Sequence, residues 1–340
     1  MSYFQERYQT VKWKGFNSSP RRINGGGPQG ATLGILEYLS QSNNSADCVG
    51  VDERFKFVDD LTILEIINLL TVGLSSFNSK HQVPNDIKED NQYIPPENLQ
   101  SQNYINDINN WTISQKMKIN ESKTKTMIFN FTNKYQFSTR LILNKNILET
   151  IEETKLLGTI VTNDLRWDKN TNHLVKKGYA RMDLLRKLSS FNAPQRDLLL
   201  VYKVFIRSIL EHSSNVWHSG LTLENKTDLE RVQKIAMKII LKDKYISHEN
   251  ALITLELETL KERREYLCLN FARKCLKNKK MKHLFPPNDS KHIMKPRNYE
   301  HFKVLFARTN RFKESPIIYM QNILNREIKR KKDQDKIWNI

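Results

Sequence analysis

The sequence predicts an α+β protein: a mixed part over residues 1–168, a helical domain over 169–280 and a basic, mainly helical tail over 281–340. Three observations carry this. Strand-like alternation around Phe55 to Leu64 and from Lys155 to Val161 brackets a helical stretch near residues 96–117. From Asp168 onward, apolar residues recur at helical spacing with few breakers. Pro286, Pro287, Pro296 and Pro316 then interrupt the chain before a last cationic helix.

In chain order, Val11 and Trp13 predict a short strand or hairpin, closed by the turn Ser18-Ser19-Pro20. Gly25-Gly26-Gly27-Pro28-Gln29-Gly30 is a loop whose missing side chains permit unusual dihedrals or close approach of a ligand. Ala31 to Leu39 reads as a helix after that loop. A hairpin spans Phe55 to Leu64. Residues 74–98, with Pro84, Pro95 and Pro96, read as a loop. The helix from Pro96 to Met117 carries Leu99, Tyr104, Ile108 and Trp111 on one stripe. Thr126 to Phe129, Thr139 to Leu143 and Lys155 to Val161 are strand candidates. In the helical domain, Leu174, Tyr179, Met182 and Leu185 form the first stripe, and further helices run from Leu198 to Leu210 and from Leu229 to Leu241. Pro194 suits a helix start, where its missing N–H is not needed. The last helix spans Ile317 to about Lys332.

The 340 residues are enough for two or three domains, and 39% hydrophobic content predicts a soluble globular chain. No apolar run is long enough to span a membrane. The start, Met1 to Glu6, has neither the basic flank nor the apolar centre of a secretory signal. Three cysteines, Cys48, Cys268 and Cys275, make no disulfide framework, so an intracellular location is expected, nuclear or cytoplasmic. Cys268, between leucines, reads as core. Cys268, Cys275, His283 and His292 lack the tight ligand pairing of a zinc module.

Net charge is +18 and unevenly spread: residues 261–340 hold 22 Lys/Arg against 8 Asp/Glu. Such a concentration predicts a nucleic-acid partner. The plainer reading is a solvated basic tail.

The strongest chemical motif is Phe57-Val58-Asp59-Asp60. Adjacent carboxylates at a hairpin tip suit a divalent cation acting on phosphates, because a hard cation takes oxygen ligands. In isolation the pair also reads as a solvated turn. It follows the glycine loop by about thirty residues.

Taken together, the ordered motifs resemble the reverse transcriptase of non-long-terminal-repeat, LINE-like retrotransposons, from mid-palm through thumb and beyond. They are Gly27 to Gly34, Phe57 to Asp60, Trp111 with Met117-Lys118-Ile119-Asn120 and Lys123, Lys155 to Gly158, and Leu165-Arg166-Trp167. Tyr202, Ile206 to His212, Val216-Trp217, Leu229 to Lys234 and Ala236 extend the set. The resemblance implies a partial palm, a helical thumb and a basic tail. It also implies RNA-directed DNA synthesis by two-metal nucleotidyl transfer to a primer 3′ end. Asp59 and Asp60 would be catalytic and hold Mg²⁺, two ions in the intact family site, with Lys123 near the incoming deoxynucleoside triphosphate. Pro28, Gln29 and Gly30 would touch template and nucleotide. Lys155 and Gly158 would position the primer, and Arg181, Arg186, Lys187 and Arg207 would line the groove for an RNA template on a DNA primer or an RNA–DNA duplex.

The pattern departs from that family where it matters for catalysis. Its first palm aspartate belongs upstream of the glycine loop, and Tyr3 to Thr10 already resembles the segment after it. Asp47, Asp52 and Glu53 stand in the wrong order to replace it. The expectation is therefore a truncated polymerase inactive by itself, with enzyme status left open. The alternative is a non-catalytic nucleic-acid-binding remnant. Trp167, Trp217, Tyr179 and Tyr202 are expected in the core rather than stacked on bases.

Overall fold

The computed structural model describes residues 8–22, 54–57, 60–67, 91–131, 136–288 and 301–338. The protein is α+β, with small separate sheets and a predominance of helix, and the chain divides into two compact units, 1–150 and 151–340.

In the first unit, β1 (Tyr8–Gln9) and β4 (Arg21–Arg22) pair antiparallel around the hairpin β2 (Lys12–Trp13) and β3 (Phe16–Asn17). Lys14 and Gly15 both take positive φ, 44° and 87°, the backbone of a two-residue turn whose twist matches its strands. β5 (Arg54–Phe57) and β6 (Asp60–Ile63) form the expected hairpin, with Phe57 opposite Asp60. β7 (Asn91–Tyr93) later pairs parallel with β9 (Gln136–Ser138). Pro96–Asn98 makes a 3₁₀ turn into α1 (Gln100–Ser114), a shorter helix than the sequence suggests. Leu99 supplies no side-chain cap to α1. Glu65 does so from a distance, accepting from the backbone N–H groups of Gln100 (3.0 Å) and Ser101 (2.9 Å).

The predicted strand from Thr126 to Phe129 reduces to β8 (Lys125–Thr126), parallel to β12 (Glu149–Thr150). β10 (Ile142–Leu143) and β11 (Asn146–Ile147) make a tight hairpin. Gln102 clasps it, its side chain accepting from the N–H of Ile142 and donating to its carbonyl, each at 2.8 Å. A small core of Ile94, Leu99, Leu141, Leu143 and Leu148 closes this unit. The predicted helix from Ala31 to Leu39 lies outside the described residues.

The second unit opens on the hairpin β13 (Glu153–Leu156) and β14 (Thr159–Thr162), and the strand candidate from Lys155 to Val161 turns back at Leu157-Gly158. Gly158 has φ +88°, and a Cβ there would stand 2.9 Å from His212 Nε2, so only glycine fits.

The helical part follows the predicted periodicity: α2 (Asp168–Ser190), α3 from Gln195–Val201 through π-helical Tyr202–Arg207 to Ser208–Glu211, α4 (Ser214–Trp217), α5 (Leu223–Leu241), α6 (His248–Thr254) and α7 (Leu260–Lys277). Gly178 brings α2 close to α5, since a Cβ there would lie 3.0 Å from Val232 Cγ1. Met182, Leu185, Tyr202, Ile206, Leu210 and Trp217 are wholly buried. The Tyr202 hydroxyl donates to Gln233 Oε1 at 2.5 Å, which satisfies its one polar atom in that core. A capping box of Thr259 and Glu262 starts α7.

A second core joins α7 to α9 (Pro316–Trp338), which follows the short α8 (Asn310–Lys313). It contains Cys268, Cys275, Phe285, Phe302, Met320 and Leu324. Between the cores, Arg264 is fully buried: its Nε donates to His218 Nδ1 at 3.3 Å and its guanidinium lies over the Trp217 ring. Among the described residues, no helix is long and apolar enough to cross a membrane.

Candidate nucleic-acid interface

The helix α2 separates its residues cleanly. Asn170, Thr171, Leu174, Gly178, Met182, Leu185 and Ser189 are buried. On the opposite, exposed line stand Lys169, Lys176 and Lys187, with Lys177 and Arg181 on one flank. From Lys169 to Lys187 this cationic line is about 27 Å long at the rise of an α-helix.

Neighbouring elements fix its position. Asn170 Oδ1 accepts from the Ile160 N–H at 3.1 Å, Lys169 pairs with Glu153 at 2.6 Å, and Asp168 accepts from Asn225 Nδ2 at 2.7 Å. The β13–β14 hairpin and α5 are thereby tied to the first turn of α2.

Few acids neutralise this surface. Residues 167–208 contain nine Lys/Arg and three Asp/Glu. Asp168 is engaged by Asn225, and Asp183 pairs with Arg186 at 2.7 Å. Among the described residues no acid pairs with Lys176, Lys177 or Lys187. Arg181 donates to the Phe205 carbonyl at 2.8 Å and lies 5.9 Å from the centroid of that half-exposed ring. At the end of α2, Arg186, Ser189, Ser190, Asn192, Lys238 and Lys242 line an open depression of about 420 Å³.

Arg207 differs from the other arginines singled out by the sequence. Its side chain is mostly covered and lies 3.5 Å from Glu211, which also holds Arg263 at 3.1 Å. The structure thus gathers Arg181, Arg186 and Lys187 on α2 and places Arg207 in an internal ion network. Lys155 is exposed on β13, and Gly158 forms the turn beside His212.

The remaining candidates belong to the first unit or lie outside the described residues. Pro28, Gln29, Gly30 and Asp59 are outside them. Asp60 is exposed at the start of β6, and Lys123 is exposed in a turn whose N–H is held by Asn120. Among the described residues no three His, Cys, Asp or Glu side chains gather to hold a metal ion, and Cys268 and Cys275 are buried and free. Burial pushes the Cys268 thiol up to about 12.

Sequence reasoning missed His173, Lys176 and Lys177. The only signal was the Lys176-Lys177 pair, which alone is indistinguishable from a solvated helix face. Burial first, and then repulsion from Lys177, Lys155 and Lys176, holds the His173 imidazole below its ordinary range.

Comparison with known proteins points to this same region. The family model that matches is described as alkylated DNA repair protein alkB homolog 8, N-terminal, and it matches residues 167–208, a minor part of the chain. No curated protein and no solved structure matches at a significant level.

These findings correct the retrotransposon resemblance. The matched family is not a reverse transcriptase domain, and its match falls on the helices that had been read as a thumb. Among the described residues every sheet is two-stranded, the hairpin bearing Asp60 pairs only with itself, and no palm sheet is shown. RNA-directed DNA polymerase activity, nucleotidyl transfer and a LINE-like origin are withdrawn with it.

Proposed function

We propose that this chain is a non-catalytic nucleic-acid-binding protein whose interface is the exposed face of α2 with its flanking hairpin. The observation that carries this reading is the line of Lys176 and Lys187, flanked by Lys177 and Arg181 and continued by the paired Lys169, on a segment where Asp168 and Asp183 are already engaged. Such a line attracts a polyanion without reading its sequence, because phosphates supply most of the affinity and bases most of the specificity. The family description supports it, naming a protein of alkylated-DNA repair and matching the segment that contains this helix. The excess of cations in residues 261–340 adds to the long-range attraction.

Fluorescence anisotropy with labelled single-stranded and duplex RNA and DNA, across a salt series, tests the proposal. Engagement of about four phosphates predicts a slope of log affinity on log salt near −3. Affinity for none of these probes at low salt would contradict it.

A further inference from the structure

Where α3 passes through its π-helical turn, adjacent large apolar side chains face outward. Leu198, Tyr202, Ile206 and Leu210 are buried at intervals of four residues, a spacing that a locally widened helix keeps on one face. On the other side Leu200, Val204 and Phe205 stay exposed, and Phe205 is 46% exposed despite its size. A lone apolar residue on a surface needs no explanation, but a cluster beside a cationic helix does.

Phe205 also holds the arginine next to it. Arg181 of α2 donates through Nη1 to the Phe205 carbonyl at 2.8 Å, and its guanidinium lies over the ring, 5.9 Å from the centroid. The guanidinium covers one side of the ring, and the exposed remainder is open to a second flat partner. Arg181 is itself exposed and pairs with no acid among the described residues. Most donors of its planar fork are therefore left for another acceptor, on a side chain already fixed in place. Lys177, one turn earlier on the same flank of α2, extends the positive charge. The acids of α3 stand apart: Asp197 lies in its first turn, and Glu211 is held by Arg207 and Arg263.

We propose that Phe205 and Arg181 form a stacking site for an unpaired base of single-stranded nucleic acid. The base lies on the open part of the ring, with Leu200 and Val204 as its apolar surround, and a neighbouring phosphate takes the guanidinium fork. The site deepens the nucleic-acid reading and rests on it. A duplex keeps its bases stacked on one another and offers the ring nothing, whereas every unpaired base presents a flat face. Charge selects this occupant over an apolar peptide, because a nucleotide satisfies the ring and the uncompensated arginine together. The site thereby adds a preference for single strands to a helix whose lysines treat all phosphates alike.

Fluorescence anisotropy of the full chain tests this with a single-stranded DNA, the same backbone carrying abasic residues throughout, and a duplex. Wild type should bind the base-bearing strand at least about fivefold more tightly than the abasic one, the contribution of one stacked base. Phe205→Leu should lose most of that preference and keep its affinity for the abasic strand and the duplex. Phe205→Tyr, which retains the ring, should keep the preference. Both variants leave the carbonyl that holds Arg181 untouched at an exposed position, so both should fold.

A preference equal in wild type and Phe205→Leu overturns the stacking site and leaves the polyanion reading of α2 standing. Equal binding of the two strands by wild type overturns it in the same way. Self-association of wild type that Phe205→Leu abolishes, with the strand preference unmoved, assigns the surface to a second copy instead. Binding of no probe at low salt removes the site and the broader reading together.

Discussion

The hairpins of the first unit and the helices of the second use the same kinds of side chain to opposite effect. Trp13, Phe16, Phe55 and Phe57 alternate along short strands and remain 71%, 80%, 56% and 59% exposed. Trp217, Tyr202, Met182 and Leu210 recur at helical spacing and are 0% exposed. Hydrophobicity does not decide between these outcomes. A two-stranded ribbon buries a face only if another layer covers it, whereas α2, α3 and α5 cover one another along their whole stripes. The buried stripe also orders the opposite one, because a helix held on one side carries its lysines as a fixed row on the other.

The largest expected effect breaks this comparison directly. Leu210→Ala should cost about 2–5 kcal/mol of stability in urea unfolding, through lost burial and a residual cavity. Phe57→Ala should stay within about 0.5 kcal/mol, as befits an exposed site. Similar costs for the two would remove the distinction.

A second effect concerns pH. Burial first, and then the positive charge of Arg264, pushes His218 down to about 3 from an ordinary 6.5. The unfolded chain therefore binds a proton that the folded one refuses. Stability should fall as pH drops from about 6.5 toward 3, by up to about 1.4 kcal/mol per pH unit from this one group. His218→Gln should flatten that acid limb in urea unfolding measured across pH; an unchanged limb would assign it to other groups.

Smaller still, Gly178→Val should cost about 1–3 kcal/mol, because even its Cβ would stand 3.0 Å from Val232 and force α2 away from α5. Thermal unfolding measures this, and a stabilised variant would show that the helices separate freely.

Much of this architecture was legible in the sequence. The helical stripe containing Leu174, Met182 and Leu185 is buried where spacing put it, and Trp217 and Cys268 are core residues as expected. The hairpin with Phe57 opposite Asp60 is also present. What misled was the use of packing residues as signs of chemistry. Tyr202, Ile206, Leu210, Trp217, Leu229, Val232 and Ala236 carried much of the resemblance to a polymerase thumb, and all are buried. Such residues report how helices fit together, and helices of unrelated function fit together in similar ways.

The cationic face of α2 was only half legible. Arg181, Arg186 and Lys187 could be read from charge, but Lys155, which acts on His173, arrives from a strand. No helical periodicity places a strand residue beside His173. Arg207 failed in the other direction: Glu211 stands four residues on at ordinary helical spacing, and Arg263 arriving from α7 completes the network that covers it.

The most direct test of the central claim is the affinity of Lys176→Glu/Lys177→Glu for a labelled single-stranded RNA, measured beside wild type at low salt. Because both lysines are exposed and engaged by no acid among the described residues, the variant should unfold like wild type. Binding should be at least about tenfold weaker, with a shallower salt slope. Unchanged affinity in a folded variant would contradict an interface on α2.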